Sequence, residues 1–158
     1  MNVIGIDPGL SGAIAILREG YSAEVYDAPT MWVPKGKGRR REYILGDVLV
    51  LLRHAGHAVA AIEAVSTRPG QSAQSSLSIG YGKGIYLMAL TALAIPFEVV
   101  TPQRWKGVML DGVGKDGKDK NASYLQAQRL FPGVDLGRRS DQGRAEALLI
   151  AEFRRRQG

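Results

Sequence analysis

The chain has 158 residues, 45% of them hydrophobic and 23% charged, which suits one compact domain over residues 1–158 and excludes a disordered chain. It has no cysteine and only two histidines, His54 and His57, so disulfides and thiolate metal sites are excluded and any metal must be held by oxygen. With 21 Lys and Arg against 15 Asp and Glu the net charge is +6, clustered along the sequence, which points to a polyanionic partner.

Val3, Ile4 and Ile6 predict a buried strand that ends on Asp7, where Pro8, Gly9 and Gly12 turn the chain. Asp7 either opens that turn or is a metal-binding acid at a strand end. Ala13 to Leu17 and Ala23 to Tyr26 predict two further strands joined by a turn at Arg18-Glu19-Gly20, making a three-strand antiparallel meander. Lys35, Lys37, Arg39, Arg40 and Arg41, interleaved with Gly36 and Gly38, predict a flexible basic loop that follows phosphates. Apolar spacing at Ile44, Leu45, Val48, Leu49, Leu51 and Leu52 predicts a crossover helix from Arg41 to Ala55 that ends near Gly56. Ala58 to Glu63 then reads as a buried strand ending in a second carboxylate. A right-handed crossover between parallel strands places Asp7 and Glu63 at one sheet edge.

The segment from Gln74 to Ile95 turns apolar almost all round from Ile85 onward, which predicts a helix buried on more than one side, in the core or against a second subunit. Phe97 to Val100 is a last short strand. Thr101-Pro102 caps and starts a helix containing Trp105 and Lys106. After Gly112, Gly114 and Gly117, helices are predicted from Lys120 to Leu130 and from Ala145 to Arg155, with Arg154, Arg155 and Arg156 as favourable charges at a helix C-terminus. There is no GxxxxGK[ST] loop, and Gly80-Tyr81-Gly82-Lys83-Gly84 has the wrong spacing for a dinucleotide fingerprint, so no nucleotide cofactor is expected. The order of elements predicts an α/β, ribonuclease-H-like mixed β-sheet, an antiparallel three-strand meander plus parallel strands, flanked by helices.

Asp141 and Glu146 stand where the last helix begins. Asp141 suits a helix cap as well as a ligand. Glu146 opens a nearly continuous apolar stretch, Ala147 to Ala151, where a carboxylate needs a partner or a cation. Asp7, Glu63, Asp141 and Glu146 gathered together would repel one another, and divalent cations remove that penalty. Two Mg²⁺ ions about 4 Å apart, with Mn²⁺ able to substitute, would clamp one phosphodiester between an attacking water and a leaving 3′ oxygen.

Taken in order, Gly5-Ile6-Asp7-Pro8-Gly9, Ile62-Glu63, Arg68-Pro69-Gly70-Gln71, Gly80-Tyr81-Gly82-Lys83-Gly84, Thr101-Pro102-Gln103-Arg104-Trp105-Lys106, Lys120 and Ala145-Glu146-Ala147-Leu148-Leu149-Ile150-Ala151 resemble the RuvC family of Holliday junction resolvases, in the compact form found in bacteriophages. The resemblance implies a ribonuclease-H-like fold, a homodimer, and metal-dependent paired nicks placed symmetrically across a four-way DNA junction in recombination and repair. Asp7 and Glu63 match the first two family acids and Glu146 the last. Cellular members place an Asp or His three positions before the last acid; that position here is Gly143, and Asp141 is expected to serve in its stead. Lys106 and Lys120 match basic positions near the cleaved strand, where they would bind phosphate and stabilise charge, Lys120 being equally readable as a surface lysine.

The stretch Ser66 to Ser78 resembles the loop that enters the junction, with Arg68 and Gln71 toward phosphates or base edges and Ser66 in place of the family's stacking aromatic. Lys83, Arg104 and Lys118 join Lys35, Lys37, Arg39 and Arg40 as expected DNA contacts. No run of about 18 apolar residues predicts a membrane span, and the first strand does not read as a signal peptide, so the cytoplasm is expected, that of the host cell for a phage protein. The rival readings are a nuclease for flaps and forks as well as junctions, and a non-catalytic module binding branched DNA. An actin-like ATPase would need a second domain and a second glycine-rich phosphate hairpin.

Overall fold

The computed structural model describes residues 1–20, 22–65, 70, 72–113, 121–138 and 140–158. Strands β1 (Asn2–Asp7), β2 (Ala13–Leu17) and β3 (Ala23–Asp27) form the antiparallel meander, and β4 (Thr30–Lys35) pairs with β5 (Gly38–Tyr43) in a separate two-stranded ribbon. Helix α1 (Leu45–His54), β6 (Ala58–Glu63), α2 (Ala73–Ala92), β7 (Phe97–Val100), α3 (Pro102–Met109), α4 (Ala122–Leu130) and α5 (Gln142–Arg156) follow. The main sheet runs β3-β2-β1-β6-β7, with β6 parallel to both of its neighbours. The predicted fold class is therefore the observed one.

Period-two alternation divides the buried strand residues between two cores. Ile4, Ile6, Ile14, Ile16 and Ile62 face α1 and α2, where they meet Val48, Leu52, Tyr86 and Leu90. Each such side chain contributes about 2 kcal/mol by leaving water. The opposite face is lined by smaller residues, among them Ala13, Ala15 and Ala61, and against it lies α5 through Ala147, Leu148 and Ala151. Gly5 marks the closest approach: a Cβ there would collide with the Ala147 carbonyl oxygen and the Ala151 backbone nitrogen. Small residues on this face thus let α5 settle against β1 backbone to backbone.

Two expectations are corrected. The basic stretch is not a flexible loop: Arg39, Arg40 and Arg41 lie in β5, opposite Pro34, Val33 and Trp32, and only Gly36 (φ 56°) and Lys37 make the turn. Ladder pairing with β4 orders it, and the charged run carries no apolar alternation from which to read a strand. For the same reason α1 begins at Leu45 rather than Arg41, after Ile44 in extended conformation. Helix α2, capped by Ser72 accepting from the Ser75 N–H, buries Gly82, Tyr86, Ala89 and Leu90 but leaves Leu77, Tyr81 and Met88 more than half exposed. Burial on more than one side is thus not achieved within one chain.

Helix α5 begins three residues earlier than expected. At its end Arg155 and Arg156 pair with Glu152, and Arg154 with Glu98. No helix among the described residues is long and apolar enough to cross a membrane.

Candidate active site

The register Ile6 opposite Ile62 in the parallel pair β1–β6 brings the next residues, Asp7 and Glu63, to the same edge of the sheet. Beyond Asp7 the turn is tight: Gly12 N–H donates to the Gly9 carbonyl at 2.9 Å, and a Cβ on Gly12 would collide with the Asp7 carbonyl oxygen. Tyr43 of the ribbon fixes this turn from outside, its hydroxyl donating to the Pro8 carbonyl at 3.0 Å. Glu63 is buried, and its Oε1 accepts a 2.9 Å bond from Nε1 of fully buried Trp105. Glu146 lies early in α5. Its Oε1 receives Lys106 Nζ at 2.9 Å and Gln142 Nε2 at 3.0 Å, with Ser123 Oγ at 3.5 Å.

Helix α3 serves two acids at once. Thr101 caps it, accepting from the Arg104 N–H, and Pro102 starts it. Consecutive residues then diverge around the helix, so that Trp105 reaches Glu63 while Lys106 reaches Glu146. The Lys106 ammonium lies 4.9 Å from the Trp105 ring centre, which further fixes it.

Burial, reinforced by the charges of Glu146 and Glu63, pushes the Asp7 carboxyl up to about 7, against smaller opposing effects from the Gly9 backbone and Lys106. Burial also raises Glu63, with the Trp105 bond opposing. The charge of Glu146 on α5 thus disfavours ionisation of both Asp7 on β1 and Glu63 on β6, and the Lys106 ammonium opposes it at each. Among the described residues no three acids are already drawn to metal-ligating geometry.

No protein-family model matches the chain, and no curated protein does. Solved structures do match. The structure of Thermus thermophilus RuvC aligns with a TM-score of 0.60 and 22% identity, over 100% of this chain and 97% of that one. T. thermophilus RuvC in complex with a Holliday junction substrate aligns with a TM-score of 0.64 and 20% identity, over 100% and 96%. The chain has the RuvC fold. Likeness at this level of identity carries the fold, and the chemistry rests on the side chains.

Within this RuvC-like frame, Asp7, Glu63, Glu146 and Lys106 come together as expected, and Asp141 does not join them. The Asp141 side chain is wholly buried at the start of α5, where Oδ2 accepts from the Arg138 N–H at 2.8 Å and Oδ1 from Arg138 Nε at 2.8 Å, with Arg144 Nε at 3.7 Å. Asp27 at the end of β3 closes the cluster, taking Arg138 Nη2 at 2.8 Å and Arg144 Nε at 2.7 Å. Asp141 occupies the N-cap position yet makes no capping bond. Its surroundings are those of a structural clasp. Asp141→Asn is expected to lower Tm by about 5 °C through weakened charged hydrogen bonds worth ~2 kcal/mol, with cutting per folded molecule unchanged. Thermal melts beside single-turnover nicking rates check this; a collapse of rate at unchanged Tm would return Asp141 to the catalytic group.

The vacancy at residue 143 has a steric cause. A Cβ on Gly143 would lie 2.6 Å from the Ser11 carbonyl oxygen, 2.9 Å from Gly12 Cα and 3.1 Å from Asp7 Oδ2. The start of α5 therefore rests on the Asp7 turn with no space for a side chain. Gly143→Asp is expected not to add a useful acid but to cost about 2 kcal/mol by overpacking and to slow nicking, as read from melts and rates. Faster nicking by this variant would refute the steric account.

Of the other expected residues, Lys35, Lys37, Arg39 and Arg40 lie on the ribbon, and Lys83 lies on α2. Arg104 turns away from Lys106, pairing with Glu98 at 3.1 Å with its guanidinium 5.3 Å from the Phe153 ring centre. Arg68, Gln71, Lys118 and Lys120 lie outside the described residues. Three positioning residues were not anticipated: Gln142, Ser123 and Tyr43. Gln142 stands four before Glu146, a helical spacing that could have found it. Ser123 and Tyr43 come from distant elements and left no local signal.

Proposed function

We propose that this chain is a metal-dependent endonuclease that cuts four-way DNA junctions by paired, symmetric nicks. The observation that carries the reading is the convergence of Asp7, Glu63 and Glu146, with Asp7 held near neutrality by burial and by the other two acids. Such a group fits a hard divalent cation, since its donors are carboxylate oxygens and an ammonium already lies against one of them. Asp7, Glu63 and Glu146 would hold Mg²⁺ or Mn²⁺, which would supply Lewis acidity and neutralise charge on the phosphodiester.

The chain's own groups prepare that chemistry. The Trp105 N–H holds one oxygen of Glu63 in place, and Gln142 and Ser123 orient Glu146. Asp7 must be ionised to hold a cation, and a cation beside it would favour that form. Lys106, partly exposed beside Glu146, would exchange that carboxylate for a phosphate oxygen and stabilise negative charge as it develops. The net charge of +6 and the basic ribbon favour a polyanion. That the substrate is a four-way junction draws on the like-folded T. thermophilus RuvC, whose structure was solved with one.

The decisive test offers the protein labelled junctions, forks, flaps and duplex, with Mg²⁺, Mn²⁺ or EDTA. Symmetric nicks confined to junctions and abolished by EDTA are expected. Equal cutting of forks and flaps would replace the junction reading with a broader branched-DNA nuclease, and no cutting with either metal would leave only a binding module.

Paired nicks require two sites, and we place a second copy against the apolar groove between α1 and α2. The groove, of about 490 Å³, is lined by Leu45, Leu49, Tyr81, Ile85 and Met88. Sedimentation at micromolar concentration is expected to give a dimer that Met88→Glu dissociates, with nicks then falling singly. A wild-type monomer, free and on junctions, would overturn this assignment.

A further inference from the structure

The β4–β5 ribbon bears a face that the metal site does not use. Its register sets Trp32 opposite Arg41 and Pro34 opposite Arg39, so that alternation places Thr30, Trp32 and Pro34 beside Tyr43, Arg41 and Arg39 on one side. That side is anchored to the acid turn. Besides the bond from Tyr43 to Pro8, Arg41 Nη1 donates to Ser11 Oγ at 3.1 Å and Nη2 to Thr30 Oγ1 at 2.5 Å. Pro8 and Ser11 belong to the turn that leaves Asp7, so the ribbon is a fixed extension of the acid edge.

On it Trp32 is 61% exposed, with the Arg41 guanidinium 6.0 Å from its ring centre. Residues 30–43 hold five cations, Lys35, Lys37, Arg39, Arg40 and Arg41, and one acid, Glu42, which pairs with Arg40. Between the ribbon and α2 runs a cleft of about 340 Å³, lined among others by Leu10, Arg41, Tyr43 and Tyr81. An indole backed by a guanidinium and surrounded by cations, beside a nuclease site, has the chemistry of a base-stacking surface in a phosphate-binding groove.

We infer that Trp32 and Arg41 form a stacking platform for an unpaired base, with Lys37 and Arg39 on the phosphates of the same strand. The inference rests on the reading of the chain as a DNA nuclease and adds the element that distinguishes branched from paired DNA. In a duplex both faces of each base are covered by neighbours. Only a base freed at a branch point or single strand offers its face to the indole. Arg41, held by Ser11 and Thr30, orients the platform toward the acid edge.

The chain has two tryptophans, and Trp105 is fully buried, so a change in tryptophan emission on DNA binding reports chiefly on Trp32. The protein carrying Asp7→Asn, which keeps the DNA intact, is titrated with an oligothymidylate of about eight nucleotides, a blunt duplex and a four-way junction. The oligothymidylate and the junction are expected to quench the emission, and the duplex to leave it nearly unchanged. Read by anisotropy of end-labelled DNA, added Trp32→Ala is expected to weaken the first two about tenfold, within the range for loss of one stacked base, without altering duplex affinity, and Trp32→Phe to retain most of it. Tight junction binding by the parent that Trp32→Ala leaves unchanged overturns this inference alone. Failure of the parent to bind any branched DNA overturns it together with the functional reading. Emission that shifts with protein concentration in the absence of DNA assigns Trp32 to contact between copies and also overturns it.

Discussion

Asp7→Asn is expected to slow junction nicking by more than about a thousandfold while leaving junction affinity nearly intact. The amide removes a charge from an acid that lies in the field of both others, at the edge where β1 and β6 end together. Binding depends on the cationic surface instead, which the substitution does not alter. The same change should make the metal-free protein more stable at pH 8. The wild-type chain ionises Asp7 there against burial, Glu146 and Glu63, a cost that the amide does not bear. A carboxyl raised from its ordinary range to about 7 corresponds to an upper bound of ~4 kcal/mol; with the carboxylate partly open to solvent, half of that, or a rise of about 5 °C in Tm, is expected. Melting curves in EDTA read the stability and gel-based nicking reads the rate. A variant that nicks normally, or that loses junction binding, would remove Asp7 from its proposed role.

Gly5→Ala is expected to be among the most damaging single-methyl additions in the chain, costing about 3 kcal/mol or more and lowering Tm by roughly 10 °C. The added carbon would meet the Ala147 carbonyl oxygen and the Ala151 nitrogen, which are backbone atoms of a helix and cannot rotate aside. Relief requires moving α5 off β1. Because Glu146 precedes Ala147 on that helix, nicking by the molecules that still fold should fall as well. Chemical denaturation measures the first effect and single-turnover nicking below the melting range the second. Wild-type stability in this variant would show that α5 can shift at little cost.

Much of this arrangement is legible in the sequence. The apolar runs ending on Asp7 and Glu63, separated by one helix, specify a parallel pair whose acids share an edge, because a crossover connection permits little else. Glu146 is marked by the apolar stretch behind it. The ribbon was missed because strand identity there comes from pairing, while Pro34, two glycines and a row of arginines carry no period-two apolar pattern. The surroundings of Asp141 are not legible in the sequence, because a carboxylate at a helix start reads equally as cap, ligand or ion-pair partner. Arg138, which bonds it, and Asp27, which shares that arginine, approach from a loop and from β3. The glycine at 143 holds a similar lesson: its cause is the nearness of Ser11 and Gly12, a contact between segments more than 130 residues apart.

The clasp at the start of α5 bears on the conditions under which this chain folds best. Arg138 and Arg144 hold Asp27 down to about 2, so its ionic contribution is complete above about pH 4 and is lost as the pH falls through 2. Asp7 behaves in the opposite sense. Its carboxyl is raised, so the folded state favours the proton; stability from this group is greatest below about pH 4 and declines as the pH rises through 7. For the metal-free chain these two dependences are jointly most favourable near pH 4 to 5. There Asp7 is protonated and Asp27 is ionised against its arginines. Of these two groups, Asp27 supports the metal-free fold throughout the neutral range, while Asp7 opposes it once ionised.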